Sequence, residues 1–280
     1  MKTLAKIKED LEFNKGLTAL VETLKTIAVA QYRSLEKRIK LFEEFTPAVN
    51  GFFEHIDVER VDHPFLRPKK ESQIAIAITS DSGFLGALNV QVVDAALAEL
   101  EKISGKLVVI GERGKIYVRG TGMPAAYFPG INDENRYEQA RQLRDYIIEK
   151  VLSDGFGYVK VIYPKPISFT VQRVEAVTLL PYSSDAGGFK QNFMADTIME
   201  SSPDKAIEYL VYLLLGHKFY EIFGLSRLAE FAARYIHLEE SAQKIKDRDK
   251  KTQLEYFRVR HELVDRTMRE LFAGRAIYAK

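Results

Sequence analysis

The carboxyl-terminal part of the chain constrains the fold most, because residues 204–280 contain no proline. From Leu228 to Leu263, a stripe of mostly apolar residues recurs at spacings of three and four, which is typical of a helix that packs against another helix. The stripe consists of Leu228, Phe231, Tyr235, Leu238, Ala242, Ile245, Asp249, Thr252, Tyr256, Val259 and Leu263. A helix over the whole stretch would reach roughly 115 Å at about 1.5 Å per residue. So narrow a stripe does not hold such a helix alone, and the sequence predicts a partner helix within the chain or outside it.

A second long helix is predicted at the amino terminus, over residues 1–46. One heptad register there contains Leu17, Val21, Leu24, Ala28, Leu35 and Phe42, with Gln31 and Arg38 as its polar members. The helix is predicted to end at Thr46, because a residue that precedes proline is pushed out of the helical region. The sequence therefore predicts an antiparallel coiled coil between the two ends of the chain.

The middle of the chain alternates between strand and helix patterns. Strands are predicted over 73–79, 106–110, 158–163 and 167–180, and helices over 88–103 and 136–152. This order predicts a Rossmann-like α/β domain over 73–181 with a mainly parallel sheet, whose last strand runs antiparallel at an edge. A connector over 47–72 and a linker over 182–203 flank the domain, and Asp204 is predicted to cap a carboxyl-terminal helix over 204–280. The predicted fold class is α/β, combining this domain with the long coiled coil.

Composition excludes several classes of function. The chain has no cysteine, so disulfides, thiolate catalysis and cysteine-ligated metals are excluded. A net charge of +2 provides no overall field for nucleic acid. No apolar run approaches the roughly 18 residues of a membrane span, and the first ten residues lack the apolar core of a signal peptide. These features predict a soluble, cytoplasmic protein.

The loop from Ser80 to Asn89 follows a predicted strand and precedes a predicted helix, where α/β sheets often bind phosphate. However, Gly83 and Gly86 fit neither the dinucleotide-binding nor the Walker spacing. We interpret the loop as a tight strand-to-helix turn.

Other patterns also fail to indicate a catalytic, cofactor or metal site. The glycines between residues 111 and 122 lie among Arg113, Lys115 and Arg119, and we interpret this segment as a solvated loop rather than an anion site. The five histidines are scattered, without the spacing of metal ligands. Residues 244–251 (KIKDRDKK) are interpreted as a solvated face of the coiled coil rather than a nucleic-acid contact.

Three stretches resemble the gamma subunit of the rotary F-type ATP synthases, over nearly the whole chain. The segment from Ile7 to Ile39 resembles the first helix of that family, and the loop ITSDSGFLGALN resembles its signature T-S-D-x-G-L-C-G-G-x-N. The third stretch, YFRVRHELVDRTMRELFAGRA from Tyr256 to Ala276, is the most specific. It keeps the family's spacing without gaps at Tyr256, Arg258, Arg260, Glu270 and Gly274.

The sequence also departs from the family pattern. His261 stands for glutamine, Asp265 for threonine, Thr267 for glutamate, Leu85 for cysteine and Ala87 for glycine. In the family, these positions lie where the shaft touches the catalytic ring. A divergent lineage, or a paralogue that serves another ring, therefore stays open.

The resemblance implies a central rotor shaft that couples ion translocation to ATP synthesis or hydrolysis. The implied partners are the alpha and beta subunits of the catalytic ring, the epsilon subunit and the membrane ring of c subunits, in a complex on the cytoplasmic side of the membrane. The implied ring-contact residues are Asp81, Ser82, Gly83, Leu85, Arg260, His261 and Asp265. No catalytic residue, cofactor or metal is implied, since ATP chemistry takes place in beta. Two alternatives stay open: a nucleotide-binding α/β module with a coiled-coil arm, and a scaffold that is not part of a rotor.

Overall fold

The computed structural model describes residues 3–39, 61–182 and 202–278. The chain forms two compact units: Val29–Arg234 is the first, and Met1–Ala28 with Tyr235–Lys280 is the second. The helices are α1 Leu4–Ile39, α2 Leu88–Lys102, α3 Glu112–Thr121, α4 Arg136–Asp154 and α5 Pro203–Tyr278. The strands are β1 Gln73–Ile78, β2 Gly105–Ile110, β3 Ala125–Phe128, β4 Tyr158–Pro166 and β5 Gln172–Leu180. Within the described part of the chain, none of the helices is long and apolar enough to span a bilayer.

The first unit is built on a five-stranded sheet in the order β3-β2-β1-β4-β5. Four strands are parallel, and β5 pairs antiparallel with β4 at one edge, as predicted. All six residues of the central strand β1 are buried, because helices cover both faces of the sheet. Ile76 packs among residues of α4 and α5, whereas Ala75 packs among residues of α2. The α/β fold class and the mainly parallel sheet are confirmed.

The interpretation of residues 111–122 as a solvated loop is wrong, because most of them form helix α3. Gly111 lies at the N-cap, directly before the helix, with a φ of 99°, a conformation that favours glycine. The backbone N–H of Gly114 donates to Thr79 Oγ1 over 3.1 Å. A Cβ atom at either glycine would collide with Thr79. The glycines therefore allow α3 to lie against the end of β1.

Two strand predictions also need correction. The short strand β3 was not predicted, and its four residues are all only half-buried. Strand β4 does not stop at Pro164 but continues to Pro166. Its pairing with β1 ends at Ile162, so beyond that residue only β5 flanks it. A proline is tolerated there because one side of the strand needs no backbone donor.

The seam of α1 contains every seventh residue from Ile7 onward. The buried members are Ile7, Asn14, Val21, Ala28 and Leu35. Val21, Ala28 and Leu35 were predicted, but Gln31 and Arg38 are exposed rather than part of the seam. The predicted Phe42 lies outside the described residues. The predicted heptad positions 21, 28 and 35 are therefore correct, whereas the predicted positions 31 and 38 are wrong.

In the second unit, α1 and α5 pair as an antiparallel coiled coil. Val21 packs with Leu238 and Ala242. Lys25 forms an ion pair with Glu239, whereas the earlier Glu22 reaches the later Lys246 at 3.4 Å. Because partners on α5 move backward as α1 moves forward, the antiparallel prediction is confirmed. In the first unit, Leu35 of α1 likewise packs with Leu228 and Phe231 of α5.

The predicted stripe of α5 holds for most of its length. Leu238, Ala242 and Thr252 are buried, and the stripe stays half-buried as far as Val259. Leu263, which was assigned to the seam, is 44% exposed. The paired part of the stripe therefore ends before Leu263.

The start of α5 differs from the prediction by one or two residues. Pro203 is the first helical residue, and the backbone N–H of Ala206 donates to the carbonyl of Ser202. Asp204 lies inside the first turn rather than at the capping position, although its charge still suits the positive end of the helix dipole. The predicted boundary at Thr46, most of the connector and most of the linker lie outside the described residues.

Candidate contact surfaces

The loop between β1 and α2 carries four of the seven predicted contact residues. Asp81 Oδ1 accepts the backbone N–H of Glu112 over 2.8 Å, so it caps the first turn of α3. The Ser80 hydroxyl donates to the carbonyl of Ser82, and the backbone N–H of Ser80 donates to Asn89 Oδ1. These bonds hold the loop in one conformation and support the interpretation of a structured turn.

Within this loop, the side chains of Leu85 and Phe84 point to different environments. Leu85 is buried with Leu88 of α2 and Ala233 of α5, so its side chain packs inside the unit. Phe84 is 58% exposed and has a φ of 64°, which non-glycine residues rarely adopt. Asp81 and Ser82 are also exposed. The large or polar side chains that the loop exposes are therefore those of Asp81, Ser82 and Phe84. Phe84 is not among the seven predicted contact residues.

A network of ion pairs between charged side chains in the first unit attaches this loop to α5. Glu230, whose side chain is 6% exposed, pairs with Arg227 and Arg234 at 2.5 Å each. Arg227 also pairs with Asp133 at 3.1 Å, in the segment between β3 and α4. Arg234 Nε lies 3.5 Å from the carbonyl oxygen of Gly83. The network thus connects two loops at the carboxyl end of the sheet with one helix.

Burial and neighbouring negative charges have opposite effects on the pKa of Arg227. Desolvation by itself would lower the pKa of Arg227, but the negative charges of Glu230 and Asp133 outweigh it and raise the pKa. Arg227 therefore stays charged although it is largely buried. The spacing of Arg227, Glu230 and Arg234 is visible in the sequence, but their distant partner Asp133 is not.

A cleft of about 960 Å³ lies beside this network, among the loops that follow β1 and β3. Its carboxylate residues are Asp81, Asp133, Glu134, Glu138 and Glu230. Among the described residues, no group of acidic or histidine side chains has the geometry of a metal site. The cleft also lacks the glycine-rich phosphate cradle and basic side chains, other than Arg227, that a nucleotide would require.

The other three predicted contact residues lie on α5, in the second unit. Arg260, His261 and Asp265 are all exposed. Nearby arginines are used within the helix, since Arg258 pairs with Glu262 and Arg266 with Glu270. In the described part of the chain, Arg260 and Asp265 have no such ion pair. Their charges are therefore available to a partner.

Around these charges, α5 exposes a stripe of large apolar side chains. Its members are Leu254, Phe257, Val264, Met268 and Leu271, which are 71%, 51%, 52%, 50% and 61% exposed. They recur at three- and four-residue spacing once His261 is counted between Phe257 and Val264. A helical apolar stripe of this kind is typical of a face that packs against another protein. The sequence interpretation missed the stripe because, in this region, it considered only the seam residues Tyr256, Val259 and Leu263.

Comparisons with known proteins identify the family. A family model described as ATP synthase matches residues 3–276. The ATP synthase gamma chain of Bdellovibrio bacteriovorus is 25% identical over 291 residues, which cover 98% of each chain. The gamma chain of Symbiobacterium thermophilum is 28% identical over 221 residues, or 76% of each chain.

Solved structures show the same fold. The rotor of the Euglena gracilis mitochondrial ATP synthase matches with a TM-score of 0.67 and 19% identity, covering 93% of this chain and 98% of that one. The central stalk and c-ring structure of the Tetrahymena thermophila mitochondrial ATP synthase matches with a TM-score of 0.62 and 19% identity, covering 80% and 99%. Since the family model spans nearly all of the sequence, this chain belongs to the ATP synthase family.

Proposed function

We propose that this chain is the central rotor shaft of a membrane ATP synthase, which couples ion translocation to ATP synthesis or hydrolysis in a surrounding catalytic ring. The observation that carries the proposal is the family match over residues 3–276 of a chain whose two ends pair as an antiparallel coiled coil. The similarity to gamma chains and to rotor structures supports the same role.

A shaft of this kind performs no chemistry itself. It changes the conformation of its neighbours only if it contacts their conformations with different free energies. In this proposal, ATP is made or hydrolysed in the beta subunits, and the chain is not an enzyme.

Two surfaces are suited to contact the ring of alpha and beta subunits. One is the exposed apolar stripe of α5 together with Arg260, His261 and Asp265. The other is the loop surface of Asp81, Ser82 and Phe84, with Gly83 held by Arg234. Leu85 is buried in the chain by itself, so its side chain supports this loop from inside.

The remaining partners follow from the same proposal. One structural neighbour contains F1 and a c-ring, and covers 97% of this chain at a TM-score of 0.69. This similarity supports the c-ring as a further partner. We also propose, as the resemblance to the gamma subunits implies, that the epsilon subunit is a partner and that the complex is a peripheral assembly on the cytoplasmic side of the membrane.

The test is to observe rotation directly. The chain would be coexpressed with the alpha and beta subunits of the same organism and purified through a tag on beta. Since the chain has no cysteine, Ile116→Cys provides a single attachment point on α3, where Ile116 is 57% exposed. A bead attached there should turn in one direction when ATP is added.

Three results would contradict the proposal. The first is failure of the chain to copurify with alpha and beta. The second is a complex that hydrolyses ATP while the bead stays still, which would favour a scaffold. The third is stoichiometric binding of ATP or NAD to the isolated chain in equilibrium dialysis, which would favour a nucleotide-binding module.

A further inference from the structure

The seam of α1 contains a buried polar residue. Asn14 is 3% exposed and occupies the same heptad position as Val21 and Ala28. Its side-chain Nδ2 is buried and has no hydrogen-bond partner among the residues that the structure describes. A buried amide donor without a partner is costly, so its place in the seam needs an explanation.

The register of the helix pair identifies the residue that faces Asn14. Val21 packs with Ala242 in the antiparallel seam. Asn14 lies seven residues before Val21, and Asp249 lies seven residues after Ala242. In an antiparallel pair with heptad repeats on both helices, these steps lead to the same layer.

Asp249 has a buried hydrogen-bond acceptor without a partner among the described residues. Its Oδ2 accepts a hydrogen bond from Gln253 over 2.8 Å, but its Oδ1 is buried without a partner in the described part of the chain. The layer therefore contains one unsatisfied donor and one unsatisfied acceptor. We refer to Asn14 and Asp249 as the polar layer.

Between residues 13 and 27, a second apolar face of α1 lies directly beside the seam. Phe13, Leu20 and Ile27 each precede a seam residue by one position, and they are 66%, 55% and 46% exposed. One residue corresponds to a rotation of about 100° in a helix with 3.6 residues per turn. Over residues 13–28, apolar burial alone would favour turning Phe13, Leu20 and Ile27 into the seam, because they are larger than the side chains they would replace.

We propose that the polar layer selects which face of α1 packs against α5. In the observed alignment, the heptad register places the free amide donor of Asn14 and the free carboxylate oxygen of Asp249 in the same layer. In the rotated alignment, Asp249 would face Phe13 and its carboxylate would be buried against an aromatic ring. A single polar position fixes helix alignment in this way at some cost in stability. The selection leaves Phe13, Leu20 and Ile27 on the outside of the pair.

The chain lacks tryptophan, so Phe13→Trp creates one fluorescent reporter of this alignment in the full-length protein. With the polar layer intact, the indole should be exposed, emit at long wavelength and be quenched readily by acrylamide. In the Asn14→Leu and Asp249→Leu double variant, the emission should move to shorter wavelength and quenching should fall at least about twofold, since the rotated face is then favoured. Asp249→Asn keeps an acceptor in the layer and should preserve the exposed indole.

Hydrogen exchange would measure the pairing itself. Each single Leu substitution should lower protection in residues 8–20 and 243–255, and the double variant should recover it. The control is Lys15→Leu with Lys250→Leu, one residue further along each helix, where both side chains are exposed. The proposal would be overturned if the indole stayed exposed in the double variant. It would also be overturned if the losses of hydrogen-exchange protection in the two single variants simply added in the double variant. Emission would be recorded over a dilution series, and a shift that disappears on dilution also overturns it, because self-association then buries the indole.

Discussion

The sheet unit and the helix pair use apolar residues in opposite ways. In strand β1 every residue is buried, whereas in α1 the fully buried seam takes one residue in seven. The sheet is covered on both faces by its own helices, but α1 and α5 still expose Phe13, Leu254 and Phe257. The difference indicates that the sheet is stabilised within the chain, while much of the apolar surface of the helix pair is available to other proteins.

The largest effect is expected for Ile76→Ala, which tests whether the sheet is stabilised within the chain. Ile76 is fully buried at the centre of the core, so its truncation should lower the free energy of unfolding by about 4 kcal/mol through lost burial and the cavity left behind. Urea denaturation of the full chain measures this. Ile116→Ala, at a site 57% exposed, is the control and should change stability by less than about 0.5 kcal/mol. Equal effects at the two sites would contradict the comparison.

The next effect is expected at the ion network. Glu230→Gln removes the charge shared by Arg227 and Arg234 and should lower the free energy of unfolding by about 3 kcal/mol, because Arg234 loses its anionic partner and Arg227 retains only Asp133. Hydrogen exchange should also rise in the loop from Ser80 to Leu85. Glu240→Gln is the matched control, since Glu240 is 59% exposed. If the free energy of unfolding and the hydrogen exchange of the loop were both unchanged in Glu230→Gln, the ion-pair network would not hold the loop.

A smaller effect should depend on pH. Hydrogen bonds from Lys102 and then Lys160 lower the pKa of Glu99 in the folded protein. The ionised carboxylate is therefore favoured by folding, so its contribution is present above the unfolded pKa of about 4.3 and is lost as pH falls through the folded pKa. Glu99→Gln should cost about 1 kcal/mol at pH 7 and progressively less below pH about 4.

Unfolding curves between pH 3 and 7 would measure this difference. Glu101→Gln, on the same helix and exposed, is the control and should show no such dependence. A difference that is constant across pH would mean that Glu99 acts through packing rather than charge.

The smallest effect on stability is expected for Arg260→Ala in the helix pair. Arg260 is exposed and has no ion pair in the described part of the chain, so stability should change by less than about 0.5 kcal/mol. In the assembled complex, however, ATP-driven ion pumping should fall while ATP hydrolysis and the melting temperature are retained. The control is Arg258→Ala, whose side chain pairs with Glu262 within the helix.

Two outcomes would revise that assignment. A loss of stability in proportion to the loss of pumping would make Arg260 structural. No change in pumping would mean that the ring contact lies elsewhere, as the departures at His261 and Asp265 allow.

The features that the sequence predicted are those that repeat locally. The run in β1 and the heptads of α1 and α5 are regular over many residues, so they identify both the strand and the helix pair. Helix α3 was missed because Gly111 and Gly114 weaken the helical pattern of the sequence. Both positions need glycine because they lie against Thr79, which is distant in the chain.

The candidate surfaces were harder to predict. The loop signature includes both Leu85, which is buried, and Phe84, which is exposed, and the sequence does not distinguish their environments. The network of Arg227 and Glu230 depends on Asp133, which reaches them only through the fold of the sheet. The seven predicted contact residues themselves stay predictions until a partner is present.

The pairing of Val21 with Ala242 also has a consequence for biosynthesis. The two residues are roughly 220 positions apart, so their contact closes a loop that contains more than three quarters of the chain. At synthesis rates of about 5–20 residues per second, α1 leaves the ribosome many seconds before its partner. All five strands of the sheet are synthesised in that interval, while Val21 of α1 waits for its partner with its apolar face uncovered. A holding chaperone on the nascent α1 would therefore affect the yield of this protein more than one acting on the completed chain.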